Sequence, residues 1–127
     1  MITHIQGKLV EKNPSFVIID CNGIGYFLRI SLQTFSKLSN DEHCMLFTHL
    51  SIKEDAHTLY GFFDKDEREL FRLLISVSGV GPNTAQMILS SLTPHEIQQA
   101  IITENVSVLQ GVKAVSYTHL RAHETVD

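Results

Sequence analysis

The chain has 127 residues, which is enough for one ordinary domain or two small ones and excludes a large multidomain enzyme. Hydrophobic residues make up 43% and charged residues 19%, a balance that supports a buried core. The longest apolar runs, such as residues 16–19, are far shorter than the roughly 20 residues of a membrane-spanning helix. The N-terminus has no leader-like pattern, and Cys21 and Cys44 lack metal-ligand spacing, so the sequence predicts a cytoplasmic protein with reduced thiols and no membrane segment.

The net charge is −4, from 10 Lys and Arg against 14 Asp and Glu. This is the opposite of the basic balance expected of a nucleic-acid-binding protein. Neither half of the chain differs in this respect, since residues 1–62 hold 5 basic and 6 acidic side chains and residues 63–127 hold 5 and 8. Any binding to DNA must therefore depend on local geometry.

Alternating apolar patterns in the first half predict five strands, with a short helix between the third and the fourth. The predicted strands are residues 2–10, 16–21, 26–30, 44–52 and 58–62, and the predicted helix is residues 31–38. Asn22 and Gly23 favour a tight hairpin turn because both positions tolerate positive φ. This order of elements predicts a five-stranded β-barrel of the OB-fold type.

From Asp64 the apolar period changes to about 3.6, which predicts a small all-α region. Asp64 and Glu67 are expected to cap its first helix reciprocally, and that helix is expected to end at Gly79. Its predicted apolar stripe is Leu70, Leu73, Leu74 and Val77. Thr93 and Glu96 are expected to form a second reciprocal cap further along the chain.

A glycine-bracketed corner lies between the first two predicted helices, in the segment Val77-Ser78-Gly79-Val80-Gly81-Pro82-Asn83-Thr84-Ala85. Gly79 and Gly81 permit a sharp turn and a close approach of a ligand, Val80 can pack between the helices, and the loop amides are expected to point outwards. The helix that begins at Pro82 adds free N–H groups and a positive dipole end, which favour a bound phosphate. A plain helix–turn–helix corner fits the same spacing equally well, so spacing alone leaves both interpretations open.

The corner is one of several motifs between Met1 and about Val115: Gly7, Asp20, Asn22-Gly23-Ile24-Gly25-Tyr26, Phe47-Thr48-His49-Leu50, Lys53-Glu54-Asp55-Ala56, Leu59-Tyr60-Gly61-Phe62, Glu69-Leu70-Phe71, Gly79-Val80-Gly81-Pro82 and Ala85-x-x-Ile88-Leu89-Ser90. In order and spacing these motifs resemble the RuvA family, the Holliday junction branch migration complex subunits of bacteria. The resemblance implies an OB-fold domain at residues 1–63. It also implies a helix-hairpin-helix domain at residues 64–115, with its second hairpin truncated.

The resemblance further implies sequence-independent binding of four-way (Holliday) junction DNA by a homotetramer, in homologous recombination, DNA repair and the SOS response to DNA damage. The family works with RuvB, an ATPase motor, through a C-terminal domain expected to be absent here, and with the RuvC resolvase. The chain itself is then expected to be non-catalytic and to need no cofactor.

The same resemblance implies that the first hairpin contacts DNA backbone phosphates in the minor groove. The residues implied are Ser78, Gly79, Val80, Gly81, Asn83 and Thr84. Glu54 and Asp55 correspond to the family's acidic pin, a hairpin tip whose carboxylates repel the crossing phosphates and guide strand separation. Without the resemblance, this turn would be interpreted as a solvated hairpin.

Two features depart from the family pattern. Asn83 stands where better-known members carry lysine, which removes a positive charge and keeps a hydrogen-bond donor. After residues 106–113, where the family continues with Gly-x-Gly and basic residues, the chain reads Ala114-Val115-Ser116-Tyr117-Thr118-His119. Residues 116–127 resemble no part of the family and are expected to be a non-native tail. Within it, His119 and His123 have i, i+4 spacing but are interpreted as solvated rather than as metal ligands.

Two other functions stay open from the residues themselves. One is single-stranded nucleic-acid binding on the barrel, with Tyr26, Phe27, Phe47 and Tyr60 as stacking platforms, although alternating aromatics are more typical of a core. The other is an oligomerisation module without a ligand. The sequence has no Gly-x-x-x-x-Gly-Lys-Ser/Thr loop and no recognisable nucleophile motif, so neither ATP hydrolysis nor covalent catalysis is predicted.

Overall fold

The structure, a computed structural model, describes residues 1–39 and 42–102. The chain divides into two compact units, Met1–Glu69 and the part from Leu70 onwards. The elements in chain order are β1 (His4–Lys12), β2 (Phe16–Cys21), β3 (Ile24–Arg29), α1 (Leu32–Lys37), β4 (His43–Lys53), β5 (Ala56–Phe62), α2 (Lys65–Ile75), α3 (Pro82–Ser91) and α4 (Pro94–Ile102). Within the described ranges, no helix is long and apolar enough to cross a bilayer.

The five strands close into a barrel in the order β1-β2-β3-β5-β4. Neighbouring strands are antiparallel except β3 and β5, which are parallel. The predicted five-stranded barrel of the OB-fold type, followed by helices, is therefore confirmed. Every strand begins and ends within two residues of its predicted bounds.

Alternate residues of the strands fill the barrel interior, because successive side chains of a strand point to opposite faces. Val17, Ile19, Leu28 and Leu46 have no accessible surface, and Ile5 is 6% exposed. The hydrophobic core of the first unit is therefore built from alternate residues of its strands.

The turn between β2 and β3 is the hairpin predicted from its residue pair. Asn22 has φ +54° and Gly23 has φ +94°. The Gly23 N–H also donates to Asp20 Oδ1 at 2.7 Å, which stabilises the turn from the preceding strand. Positive φ at both central positions matches the twist of the flanking strands.

Asp64 lies at the predicted cap position of α2, where its carbonyl accepts from the Arg68 N–H at 3.3 Å, but the predicted reciprocal pairing of the Asp64 and Glu67 side chains with the helix backbone is wrong. The Glu67 carboxylate instead accepts hydrogen bonds from the hydroxyl of Ser31, at 3.0 Å, and from that of Thr34. Asp64 pairs with Lys37 through its side chain. The two side chains bind partners about 30 residues away instead of the nearby helix backbone, because folding of the barrel brings those partners close.

The second unit contains the C-terminal part of α2 with α3 and α4. Leu70 and Leu74 are buried as predicted, but Leu73 is 49% exposed and Phe71 is fully buried in its place. α3 buries Ala85, Ile88 and Leu89, and α4 buries Ile97 and Ala100.

The predicted cap of α4 is confirmed. The Thr93 N–H donates to Glu96 Oε1 at 3.0 Å, and the Glu96 N–H donates to Thr93 Oγ1 at 3.2 Å. The hydrogen bond from the Thr93 N–H to the Glu96 carboxylate, with a further contribution from the Thr93 side chain, holds the pKa of Glu96 below its ordinary value. The pattern succeeds here because donor and acceptor lie within one turn of chain.

Candidate nucleic-acid interface

α2 ends earlier than the sequence predicts, at Ile75 rather than at Gly79. Two tight turns follow the helix, with the Ser76 N–H donating to Leu73 O at 3.2 Å and the Val77 N–H to Leu74 O at 3.0 Å. Shifting from i−4 to i−3 hydrogen bonds is a common way for a helix to satisfy its last carbonyls. The last residue of α2 is therefore four residues before Gly79, the first glycine of the corner.

The corner itself turns at Gly79, whose φ is +84°. Val80 follows with only 7% of its surface exposed, as expected of a side chain that packs between helices. Its N–H donates to Val77 O at 3.1 Å, so the expectation that the loop amides point outwards is wrong for Val80. The left-handed conformation of Gly79 turns the backbone sharply, so that the Val80 N–H reaches a carbonyl of the same loop.

α3 begins directly after the corner, with Gly81 as its N-cap residue and Pro82 at its first position. Gly81 O accepts the first helical hydrogen bond from Ala85 N at 2.9 Å. Glycine brings no capping side chain, and the first turn of α3 has no acidic residue, whereas α2 and α4 begin with carboxylates. The positive end of the α3 dipole is therefore not compensated by a carboxylate in its first turn, which is the electrostatic condition for binding an anion.

Most of the predicted contact residues lie at the surface of this corner. Ser78, Gly79, Gly81 and Asn83 are exposed, Thr84 is half-buried and Val80 is buried. Among the described residues, nothing lies within 4 Å of a Cβ built on Gly79 or Gly81. The structure thus brings five of the six predicted residues to one accessible corner, and their contact with DNA stays a prediction.

Between residues 70 and 102 the chain carries little side-chain charge that could attract phosphate to the corner. Arg72 is the only Lys or Arg between residues 70 and 102, and Asn83 stands where lysine would add charge. Within this part of the chain, the features able to favour an anion are backbone dipoles and hydrogen-bond donors, which do not read sequence.

Glu54 and Asp55 form the two-residue tip of the β4–β5 hairpin, in the barrel unit. The pairing is continuous up to Lys53 and Ala56, so the tip is held by regular strands. Both carboxylate residues are exposed. Their geometry fits a projecting acidic tip, and their role as a pin stays a prediction.

The four aromatic residues considered for base stacking separate into two groups. Tyr60 is 3% exposed, Tyr26 packs against the barrel core, and Phe47 lies under the Arg68 guanidinium at 5.4 Å from the ring centroid. Phe27 alone of the four is exposed, at 46%. Its stacking partner Phe16 was not singled out from the sequence, because the pairing across β2 and β3 becomes visible only with the strand register.

The remaining reactive groups form no second site within the described residues. Cys21 and Cys44 are free thiols, and burial raises the pKa of Cys44, with the neighbouring Cys21 adding to the effect. Residues 1–39 and 42–102 contain no group of three His, Cys, Asp or Glu side chains able to hold a metal ion. The second hairpin, the expected tail at residues 116–127 and the pair His119 and His123 lie outside the described residues.

Comparison with known proteins gives two family matches. The model of the RuvA N terminal domain matches residues 1–61, and the model of the SAM-like helix-hairpin-helix tandem matches residues 71–116. The boundary between the two matches falls close to the change from strands to helices.

Individual relatives match over 91% of the chain. Proteins named Holliday junction branch migration complex subunit RuvA from Christiangramia forsetii, Flavobacterium psychrophilum and Bacteroides thetaiotaomicron are 58%, 55% and 51% identical to it over 115 residues. The match covers 60%, 60% and 57% of these relatives, so the chain spans about three fifths of their length. With a closed five-stranded barrel, a glycine-bracketed corner ahead of α3 and more than half of the compared residues identical, the chain belongs to the RuvA family.

Proposed function

We propose that this chain binds four-way (Holliday) junction DNA as the non-motor scaffold subunit of a branch migration complex, in homologous recombination and DNA repair. The observation that carries the proposal is the corner ahead of α3, where two exposed glycines precede a helix whose first turn has no carboxylate. The names of the relatives, which describe subunits of a Holliday junction branch migration complex, support the choice of junction DNA as the ligand.

In this proposal the exposed corner residues bind backbone phosphates and so act on any sequence. They are Ser78, Gly79, Gly81, Asn83 and Thr84, while the buried Val80 fixes the corner against its own helices. Because the chain has a net charge of −4, contact depends on this local dipole rather than on a general electrostatic attraction.

Glu54 and Asp55 have a different role in this proposal. Two carboxylates at an exposed hairpin tip repel phosphates within a Debye length, about 10 Å at moderate salt. Placed between the crossing DNA strands, the two carboxylates separate the strands and do not bind them. The corner then supplies affinity and the hairpin tip supplies the separation of strands.

Membership of the RuvA family supports a further proposal about the wider assembly. We propose a homotetramer, with RuvB as the ATP-hydrolysing motor and RuvC as the resolvase, located in the cytoplasm where chromosomal DNA is repaired. We also propose the domain boundaries 1–63 for the OB-fold, 64–115 for the helix-hairpin-helix domain and 116–127 for a non-native tail. The chain itself is then non-catalytic, since the energy for branch migration comes from its partner.

The proposal is tested by competition in a gel shift. A labelled synthetic four-way junction is bound by the chain and challenged with unlabelled junction, linear duplex and single strands of the same sequences at matched salt. The unlabelled junction is expected to displace the label at the lowest concentration. Equal displacement by linear duplex would contradict junction binding, and absence of any shift would favour an oligomerisation module. Light scattering on the same sample tests the tetramer.

A further inference from the structure

The turn between β2 and β3 holds the only asparagine–glycine pair in the sequence. Both Asn22 and Gly23 are exposed, with φ +54° and +94°. Among the described residues, nothing lies within 4 Å of a Cβ built on Gly23. The turn therefore leaves the side-chain amide of Asn22, and the backbone that follows it, open to water.

An asparagine followed by a glycine is a reactive pair in water, because the next backbone nitrogen can reach the side-chain carbonyl. The Gly23 nitrogen attacks Asn22 Cγ, so that a Cγ–N bond forms and the Cγ–Nδ2 bond breaks. Nδ2 leaves as ammonia and takes with it the proton that the Gly23 N–H has lost. Water then opens the five-membered imide at either carbonyl and leaves aspartate or isoaspartate. Glycine assists the ring closure because it has no Cβ to crowd the attacking nitrogen.

One hydrogen bond in the turn opposes this attack. The Gly23 N–H donates to Asp20 Oδ1 at 2.7 Å. The attacking nitrogen must give up that proton and take on negative charge, which a carboxylate beside it disfavours. Asp20 is itself held by its strand, since it is paired with Lys8 on β1 and with Gly25 on β3. Attack therefore requires the turn to open locally and release this hydrogen bond.

We propose that Asn22 is a site of spontaneous deamidation, with water as the co-reactant, and that the Asp20 carboxylate limits its rate. Exposure of the turn supplies the water, and the glycine leaves room for ring closure. The hydrogen bond to Asp20 then sets how often the Gly23 nitrogen is released. The modified turn is distinct from the proposed DNA-binding corner, because it belongs to the unit Met1–Glu69 and the corner to the unit from Leu70 onwards.

Two other asparagines provide comparisons within the same chain. Asn13 precedes Pro14, which has no N–H to lose, and its Oδ1 already accepts two backbone hydrogen bonds, at 2.8 and 2.9 Å. Asn83 lies in α3 and precedes Thr84, whose branched side chain crowds the attacking nitrogen. Both are therefore expected to react more slowly than Asn22.

The two products are expected to affect the barrel differently. Aspartate suits the same turn, since Asp-Gly also favours positive φ at both positions, but it places a second carboxylate close to Asp20. Isoaspartate carries the chain through its side-chain carbon and so adds one backbone atom to the turn. The pairs Asp20–Gly25 and Cys21–Ile24 lie directly beside this turn, and hairpin register depends on loop length. Isoaspartate at position 22 is therefore expected to lower the stability of the barrel.

Peptide mapping by mass spectrometry tests the proposal on the complete chain, incubated at mildly alkaline pH. Isoaspartate is counted separately, by the methyl group that a protein isoaspartate methyltransferase transfers to it. We expect conversion at Asn22 before Asn13 or Asn83. Asp20→Ala is expected to speed conversion at Asn22 roughly tenfold, as loss of one charge-assisted hydrogen bond implies, and Asp20→Ser, which keeps an uncharged acceptor, to speed it less. Asn22→Gly keeps a residue suited to the turn and should yield no isoaspartate from it.

Urea unfolding of each variant separates release of the turn from loosening of the whole barrel. Ile5→Val shortens a buried side chain of β1, so it is expected to lower the free energy of unfolding and to leave the Asn22 rate unchanged. The site is rejected if Asn22 stays intact over the period in which the urea-unfolded chain converts it, or if Asn83 is converted first. Restraint by Asp20 is rejected if Asp20→Ala reacts at the parent rate or more slowly, or if Ile5→Val accelerates the reaction as much as Asp20→Ala does.

Discussion

Ser31 donates a hydrogen bond from Oγ to Glu67 Oε2 at 3.0 Å, which ties the N-terminus of α1 to the first turn of α2. The same Ser31 oxygen caps α1 by accepting from the Thr34 N–H at 3.1 Å. Thr34 in turn donates to the other oxygen of Glu67 and accepts from the Phe63 N–H at 3.2 Å. A single carboxylate, 6% exposed, thus organises the end of the barrel at which the helices begin.

Burial of Glu67 predicts a pH-dependent stability. Burial raises the pKa of Glu67 above its ordinary value of 4.5, against the lowering effects of the Thr34 and Ser31 hydrogen bonds and of the Lys37 charge. The folded state therefore binds more protons than the unfolded state just above pH 4.5, and the stability from this group falls as pH rises through that window. Glu67→Gln cannot ionise, so we expect its free energy of unfolding to lack this component.

Urea unfolding of the parent chain and of Glu67→Gln across pH 4.5 to neutral, a window that starts at the ordinary pKa, measures the effect. Glu69→Gln, at an exposed position of the same helix, is the matched control and should follow the parent profile. If the free energy of unfolding changes with pH in the same way for the parent and for Glu67→Gln, the Glu67 carboxylate is not the cause of the pH dependence. Glu67→Ala is expected to cost about 1–3 kcal/mol because two buried hydroxyls lose their acceptor.

Gly7 is predicted to be indispensable to the barrel. A Cβ at this position would lie 2.3 Å from Asp20 O and 3.0 Å from Cys21 Sγ, where β1 passes close to β2. We expect Gly7→Ala to lower the free energy of unfolding by about 1–3 kcal/mol or more, since backbone must move.

Gly25→Ala provides the matched control, because its Cβ would meet only Ile18 Cγ2 at an ordinary 3.6 Å. Chemical unfolding of both variants tests the comparison. If the two substitutions lower the free energy of unfolding equally, the close contact between Gly7 and Asp20 does not explain the need for glycine at position 7.

The two corner glycines are predicted to differ when substituted. Gly81 has φ −91° and open space around its Cβ position among the described residues, so Gly81→Val should fold normally while its side chain covers the start of α3. We expect junction affinity to fall by roughly tenfold or more, as a loss of about 1.4 kcal/mol implies. Gly79→Ala, at φ +84°, should in addition cost about 1–2 kcal/mol of stability.

Junction titrations at matched salt and thermal unfolding separate the two effects. A Gly81→Val chain with parent affinity for the junction would remove the α3 corner from the proposed function.

Neutralising the hairpin tip is predicted to strengthen binding. Glu54→Gln with Asp55→Asn removes two like charges from the proposed path of the phosphates while keeping side-chain size, and neither position has the positive φ that would make the turn sensitive to residue type. We expect the junction Kd to decrease, with the difference shrinking at high salt.

Filter binding or a gel shift over a salt series measures this change. Weaker binding by a folded double variant would contradict a repulsive pin and would make the carboxylates part of the binding surface. The Lys53→Gln variant is the control of opposite sign, since it removes a cation next to the same tip.

Local patterns account for the parts of the protein that the sequence predicted well. Strand alternation, the Asn22-Gly23 turn and the Thr93–Glu96 cap all act between residues a few positions apart, so their structure can be inferred without the fold. The glycine corner could also be predicted from the sequence, because its residues lie within a few positions of one another. By contrast, the partners of Glu67 lie 33 and 36 residues away, and no local pattern indicated them.

From its residues alone, this chain specified a five-stranded barrel, a helical region and a glycine corner ahead of a helix, because short-range periodicity and backbone φ preferences decide those features. Packing in three dimensions decided that Phe71 rather than Leu73 is buried, that the Glu67 carboxylate meets Ser31 and Thr34, and that Phe27 is left exposed beside Phe16 and Arg29. Burial and pairing of this kind depend on which distant segments meet, and that is settled by minimising exposed apolar surface over a whole compact unit.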